Sequence, residues 1–173
     1  MKDNIRVLIS QEELENRIKE MAAQISKDYE GEELHLICIL RGSVFFTCEL
    51  AKYLTIPVTI DFMTASSYRD QMKTSGKVDI MKELDDPIDG KNVLVIEDII
   101  DSGRTLHSIL ALLKEKNVKS VKLCTLLDKP ERREVSVDVD YIGMQIPDLF
   151  VVGYGLDFAQ KYRNLPYIGV IEQ

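Results

Sequence analysis

One stretch constrains the fold more than any other. Val93-Leu94-Val95-Ile96 is followed at once by Glu97 and Asp98, then by Ile99, Ile100 and Asp101-Ser102-Gly103-Arg104-Thr105. Four consecutive apolar residues read as a buried strand, and Asp101-Ser102-Gly103 reads as a break. Beyond the break Leu106, Ile109, Leu110 and Leu113 recur at helical spacing, which predicts an amphipathic helix over Thr105 to Lys116. Strand, turn and helix in succession form the repeating unit of α/β architectures.

The rest of the chain repeats that unit. Ser10 with Glu13 forms a capping box that opens a helix through about Tyr29, with Leu14, Ile18, Met21, Ala22 and Ile25 on one face. Leu34 to Leu40 reads as a buried strand, Arg41-Gly42-Ser43 as a turn and Val44 to Tyr53 as a second helix. Pro57 to Met63 and Val121 to Leu127 are further strands, and Val78 to Lys82 is a short one. Later strands are expected near Val139 to Ile142, Phe150 to Gly153 and Tyr167 to Ile171. Between Thr64 and Lys77 the chain turns polar, and a connection of that length in a compact domain tends to be a functional lid or disordered. The pattern predicts an α/β fold with a mainly parallel sheet, as one domain over residues 1–173. Ligands of such sheets bind beyond the carboxyl ends of the strands, so the turns after Leu40, Met63, Ile96, Leu127 and Val152 are the ones to inspect.

Charge and composition exclude several classes. Twenty-two basic and 29 acidic side chains give a net charge of -7, which opposes broad nucleic-acid binding. A polyanion is held by such a chain only through local donors, backbone amides or a metal ion. No apolar run approaches the roughly 20 residues of a membrane span, and MKDNIRVLIS is too charged for a secretory signal, so a cytoplasmic protein is expected. Cys38, Cys48 and Cys124 lack CxxC spacing, and the first and last lie in apolar runs suited to reduced, buried thiols. His35 and His107 lack zinc-site spacing, which favours structural roles for both.

The chemistry of residues 93–105 is that of an anion cradle. Amides at a helix start, with the Ser102 and Thr105 hydroxyls, hold a phosphate without net positive charge, and Gly103 permits close backbone approach. Carboxylates repel a phosphate, so Glu97 and Asp98 call for ribose hydroxyls or a bridging Mg2+; a capped helix with exposed acids is the plainer reading. Common phosphate motifs do not fit. There is no GxxxxGK[ST], and after Gly153 and Gly155 the third glycine of a dinucleotide fingerprint is replaced by Phe158.

Four apolar residues, two acids, two apolar residues and acid-hydroxyl-Gly-x-Thr closely resemble the phosphoribosyl pyrophosphate signature of type I phosphoribosyltransferases. The resemblance implies their fold: a mainly parallel twisted sheet flanked by helices, with a small hood built from the chain ends. It implies that Glu97 and Asp98 contact ribose hydroxyls and help place Mg2+, and that Asp101, Ser102, Gly103, Arg104 and Thr105 wrap the 5′-phosphate.

Further segments resemble the hypoxanthine-guanine branch of that family. Leu40-Arg41-Gly42 is similar to its pyrophosphate loop, where a non-proline cis peptide is usual; many relatives carry Lys where this chain has Arg41. Ser67-Tyr68 resembles the Ser-Tyr pair of a mobile lid. In Leu127-Asp128-Lys129-Pro130, the lysine corresponds to the donor that reads O6 of a 6-oxopurine, where the amino group of adenine would leave it unpaired. In the run Pro147 to Asp157 the resemblance implies that Phe150 stacks on the purine, that the Val151 backbone reads its N1 and 2-position edge, and that Asp157 binds Mg2+. Arg163 corresponds to an arginine near the pyrophosphate. Asp101 is implied as the general base or acid facing purine N7.

The expected reaction is therefore transfer of phosphoribose from phosphoribosyl pyrophosphate to hypoxanthine or guanine with Mg2+, by a homodimer or homotetramer that engages neither nucleic acid nor membrane. A transferase for another base and a phosphoribosyl pyrophosphate-sensing regulator are the alternatives. The acidic charge and the presence of Asp101 oppose the regulator.

Overall fold

The computed structural model describes residues 4–67 and 78–172. Nine strands and three α-helices follow in chain order among the described residues. They are β1 (Asn4–Ile9), α1 (Gln11–Asp28), β2 (Leu34–Ile39), α2 (Val44–Tyr53), β3 (Val58–Ser67), β4 (Val78–Lys82) and β5 (Asn92–Ile100). After them come α3 (Arg104–Lys114), β6 (Ser120–Asp128), β7 (Tyr141–Gln145), β8 (Val151–Val152) and β9 (Ile168–Glu172).

The central sheet has the order β4-β3-β2-β5-β6-β7. Its pairs are parallel from β3 across to β7, and only β4 runs antiparallel, against β3. Successive residues of the inner strands serve opposite faces. Leu36, Leu94 and Ile96 pack with Leu14 and Ile18 of α1 and with Phe46 and Leu50 of α2. Ile37, Ile39, Val93 and Val95 pack with Ile109 and Leu113 of α3. Burial on both faces is why these strands are nearly unbroken apolar runs. Helix α1 starts where its sequence requires: Glu13 N–H donates to Ser10 Oγ at 3.1 Å, and Ser10 N–H donates to Glu13 Oε2 at 2.7 Å.

A second, antiparallel sheet, β1-β9-β8, pairs residues near the two ends of the chain, with Asn4 opposite Glu172 and Val151 opposite Val170. This is the hood expected from the chain ends, although the sequence reading assigned no strand to Asn4–Ile9.

Three boundaries differ from the sequence reading in ways that matter. β3 runs four residues past Met63, because β4 folds back on it with Ser67 opposite Val78. The polar stretch that starts at Thr64 thus begins as strand, and Tyr68 to Lys77 lie outside the described residues. β5 also continues, from Asn92 to Ile100. Its ladder with β2 stops at Cys38 opposite Ile96, whereas its ladder with β6 reaches Ile100 opposite Asp128. Glu97 and Asp98 are therefore inside a strand whose one flank has lost its neighbour, not beyond the strand's end. Helix α3 begins at Arg104, after Gly103 in the left-handed region at φ 81. A Cβ at Gly103 would meet the Val135 carbonyl oxygen at 2.7 Å, so glycine is required there twice over. No helix among the described residues is long and apolar enough to cross a membrane.

Candidate active site

The ends of β2, β3 and β5 converge on a cleft of about 610 Å3. Arg41, Gly42, Glu97, Asp98, the whole run Asp101 to Thr105, Asp157 and Arg163 line it. Residues proposed from four separate segments of sequence thus share one wall.

The anion end is built on α3. No side chain caps the helix start; Ser102 Oγ instead accepts from Arg104 N–H at 3.3 Å. With that one amide engaged locally, the helix start keeps the arrangement that favours anions at a helix N-terminus. The loop is braced from outside. Glu134 N–H and Val135 N–H both donate to Ser102 O, at 2.9 and 3.0 Å. Arg133 Nε donates to Asp101 O at 3.2 Å while its Nη2 pairs with the buried carboxylate of Asp128. The sequence reading missed Arg133 and Asp128, and also Arg132 and Glu134, which line the cleft. A run of basic residues directly after a strand end, in an acidic chain, was the available signal.

The turn after β2 contains a cis Leu40–Arg41 peptide, as the resemblance implied. Gly42 is packed between two neighbours: a Cβ on it would overlap the Asp98 carboxylate, and a Cβ on Gly155 would overlap the Gly42 carbonyl. The turn after β2 comes this close to the Asp98 side chain and to the Gly155 backbone because Gly42 and Gly155 have no side chain.

The two adjacent acids of the cleft are held in unusual surroundings. Burial, and then the charge of Asp98, hold the Glu97 carboxyl well above the usual carboxylate range. Burial likewise raises Asp98, although the Arg163 charge opposes it. Glu97 Oε1 accepts from Asp98 N–H at 3.0 Å, and Asp98 Oδ1 accepts from Ile99 N–H at 2.6 Å. Two adjacent acids are thus short of positive charge. Arg163 is engaged by Asp157 at 3.0 Å and donates to Gly155 O at 2.6 Å. Among the described residues no three His, Cys, Asp or Glu side chains converge closely enough to hold a metal ion unaided.

Lys129, Phe150 and Val151, the residues expected to meet the base, are not among those that line this cleft. Lys129, at the end of β6, is buried, and its Nζ stands 3.7 Å from Asp101 Oδ1. That oxygen is itself buried, without a hydrogen-bond partner among the described residues. Phe150 is 58% exposed and meets Phe158 edge-on, with ring centroids 5.8 Å apart. An exposed aromatic fixed by a second ring is a surface ready to be stacked on. Val151 opens β8 against β9 beside it. Phe158, noted in the sequence only for breaking a glycine pattern, is the residue that orients this platform. Ser67 closes β3, and Tyr68 lies outside the described residues. Cys38 and Cys124 are free and buried, as expected, while Cys48 is exposed.

Comparison with known proteins agrees with this arrangement. A family model described as the phosphoribosyl transferase domain matches residues 10–159. The chain is 51% identical over 173 residues to the hypoxanthine phosphoribosyltransferase of Buchnera aphidicola, covering 99% of this chain and 98% of that one. It is 49% identical over 173 residues to the Escherichia coli protein of the same name, covering 99% and 97%. Among solved structures, a hypoxanthine-guanine phosphoribosyltransferase from Bacillus anthracis superposes with a TM-score of 0.93 at 51% identity, covering 98% of this chain and all of that one.

Proposed function

Since the chain belongs to the phosphoribosyl transferase family, we propose that it salvages hypoxanthine and guanine, joining each to phosphoribosyl pyrophosphate to give IMP or GMP and pyrophosphate. The observation that carries the reading is the juxtaposition of a ligand-ready helix start at residues 101–105 with the pair Asp101 and Lys129.

In this reading the amides and hydroxyls of Ser102, Gly103, Arg104 and Thr105 hold the 5′-phosphate, and Glu97 and Asp98 accept from the ribose hydroxyls. Phe150 stacks on the purine, Lys129 donates to O6, and the Val151 backbone meets the N1 and 2-position edge. Purine N9 attacks the anomeric carbon as the bond to pyrophosphate breaks, its electron pair leaving on the pyrophosphate oxygen with inversion at carbon. Asp101 exchanges the proton at N7 that this change in the ring requires. Arg41, the Gly42 amide and Arg163 share the charge of the departing group. Ser67 and Tyr68 belong to a lid that keeps water from the reacting carbon.

The donor set fits Mg2+. That ion keeps several waters and takes one or two carboxylates together with substrate phosphates, which suits a cleft where Glu97, Asp98 and Asp157 do not form a closed protein cage. Bound there, it would supply the positive charge that the two raised carboxyls and the leaving pyrophosphate call for. The same reading takes the enzyme to be cytoplasmic and a homodimer or homotetramer.

The test is nucleotide formation, coupled to pyrophosphate release, with phosphoribosyl pyrophosphate and Mg2+ against hypoxanthine, guanine, xanthine, adenine and uracil in parallel. Product with the first two and none with adenine or uracil is expected. Product with none of the five despite tight donor binding would replace the enzyme by a sensor of phosphoribosyl pyrophosphate.

A further inference from the structure

Gln160 has no part in the chemistry above, yet three parts of the pyrophosphate end meet on it. Its Oε1 accepts from Arg41 at 3.0 Å and from Arg163 at 3.2 Å. Its backbone N–H donates to Asp157 Oδ2 at 2.8 Å. The segment holds this pose in an unfavourable backbone region: Ala159, Gln160 and Tyr162 have φ of 51, 67 and 75°. Left-handed non-glycine residues cost free energy each, and they cluster where the surroundings enforce a geometry.

Arg41 and Arg163 belong to different loops and carry like charges, so they repel when no anion lies between them. An amide oxygen has two lone pairs and can accept from both. Being neutral, it links the guanidiniums without adding negative charge of its own; Asp157 already pairs with Arg163 at 3.0 Å, so a second carboxylate in place of Gln160 would cancel the charge of Arg41 as well. Each guanidinium has five N–H groups; Arg41 spends one on Gln160, and Arg163 spends others on Gln160, Asp157 and Gly155 O, so donors remain on both for phosphate oxygens.

We infer that Gln160 is a positioning residue for the pyrophosphate end of the cleft, holding Arg41 and Arg163 in place before the anion arrives. The inference rests on the proposed function. It assigns Gln160 an effect on the pyrophosphate moiety alone, because ordering two long side chains in advance lowers the cost of binding only for the group they grip. The nucleotide product, which lacks pyrophosphate, does not use them.

The experiment is calorimetric titration of the wild type and Gln160→Met with inorganic pyrophosphate plus Mg2+, and separately with IMP. Methionine keeps the length and loses the acceptor, and the exposure of Gln160 makes misfolding a minor concern. The variant is expected to bind pyrophosphate roughly tenfold more weakly, the scale of one charge-assisted hydrogen bond, with IMP affinity and Tm nearly unchanged. The KM for phosphoribosyl pyrophosphate should rise alongside, and that for hypoxanthine should not. Gln160→Ala must reproduce the result. Equal losses for pyrophosphate and IMP, or no loss for either, overturn the inference while leaving the enzyme reading intact. A wild type that binds neither ligand overturns both.

Discussion

Lys129 Nζ and Asp101 Oδ1 face each other at 3.7 Å, one nearly buried and the other without a hydrogen-bond partner among the described residues. On the proposed reading, the ammonium that donates to O6 of the base and the carboxylate that serves N7 thus occupy adjacent positions. Those two atoms lie on the same edge of a 6-oxopurine, and a base bound between them satisfies both groups at once.

Replacing Asp101 by Asn should keep the shape of this site and remove the proton acceptor. Turnover is expected to fall about 10²–10⁴-fold, the range for loss of a general acid–base group, with IMP affinity largely retained. Single-turnover rates beside equilibrium titrations separate the two effects; unchanged turnover would take Asp101 out of that role.

For Lys129→Ala the readout is the ratio of kcat/KM for hypoxanthine to that for adenine. Loss of a buried charged donor should reduce the ratio by roughly 10–100-fold. An unaltered base profile would assign O6 recognition to another residue.

Gly42→Ala places a methyl group against the Asp98 carboxylate. The acid or the loop must shift, and a displacement of about 1 Å at a reacting centre costs on the order of 10²-fold in rate. We expect that loss in kcat/KM for phosphoribosyl pyrophosphate, with far-ultraviolet circular dichroism unchanged, since Gly42 lies outside the helices and strands. Full activity in the variant would show that the close approach is dispensable.

His35 gives a prediction about stability and pH. Burial, with the Lys91 charge next, holds its imidazole below the usual value, while Asp61 and Asp86 push the other way. Its Nε2 is buried without a partner among the described residues, and Nδ1 is 2.6 Å from Thr59 Oγ1. The unfolded chain takes up a proton near pH ~6.5 that the native state resists. This contribution is in full force above that pH and is lost as pH falls below it, with a slope of at most about 1.4 kcal/mol per pH unit. Urea unfolding at pH 7.5, 6.5 and 5.5 should show a shallower decline for His35→Gln than for wild type. Equal declines would assign the effect to other groups.

The sequence spoke most clearly where one residue's chemistry depends on its neighbours in the chain. The acids at 97 and 98, the hydroxyl-glycine turn and the amphipathic helix after it are local, and the structure has them as strand, break and helix. What escaped is set by distant partners. Asn4–Ile9 is a strand because Ile168–Glu172 lies beside it. Thr64 to Ser67 are extended because β4 folds back on them. Gln160 looks like any polar turn residue until Arg41 arrives from the turn after β2. Arg133 is one of two consecutive arginines, and only the fold selects it to pair with Asp128.

The pairing of Asn4 with Glu172 bears on how the protein comes into being. The loop at residues 101–105 is framed by β5, α3 and β6, neighbours in sequence whose contacts close short loops. The sheet beside Phe150 forms only when residues 4–9 find residues 168–172, a closure across nearly the whole chain and the most costly in entropy. On the proposed reading, a growing polypeptide thus completes the residues assigned to the sugar phosphate well before those assigned to the base. In the finished protein this small three-stranded sheet has fewer neighbours than the six-stranded one, and amide exchange is expected to be faster in β1 and β9 than in β5.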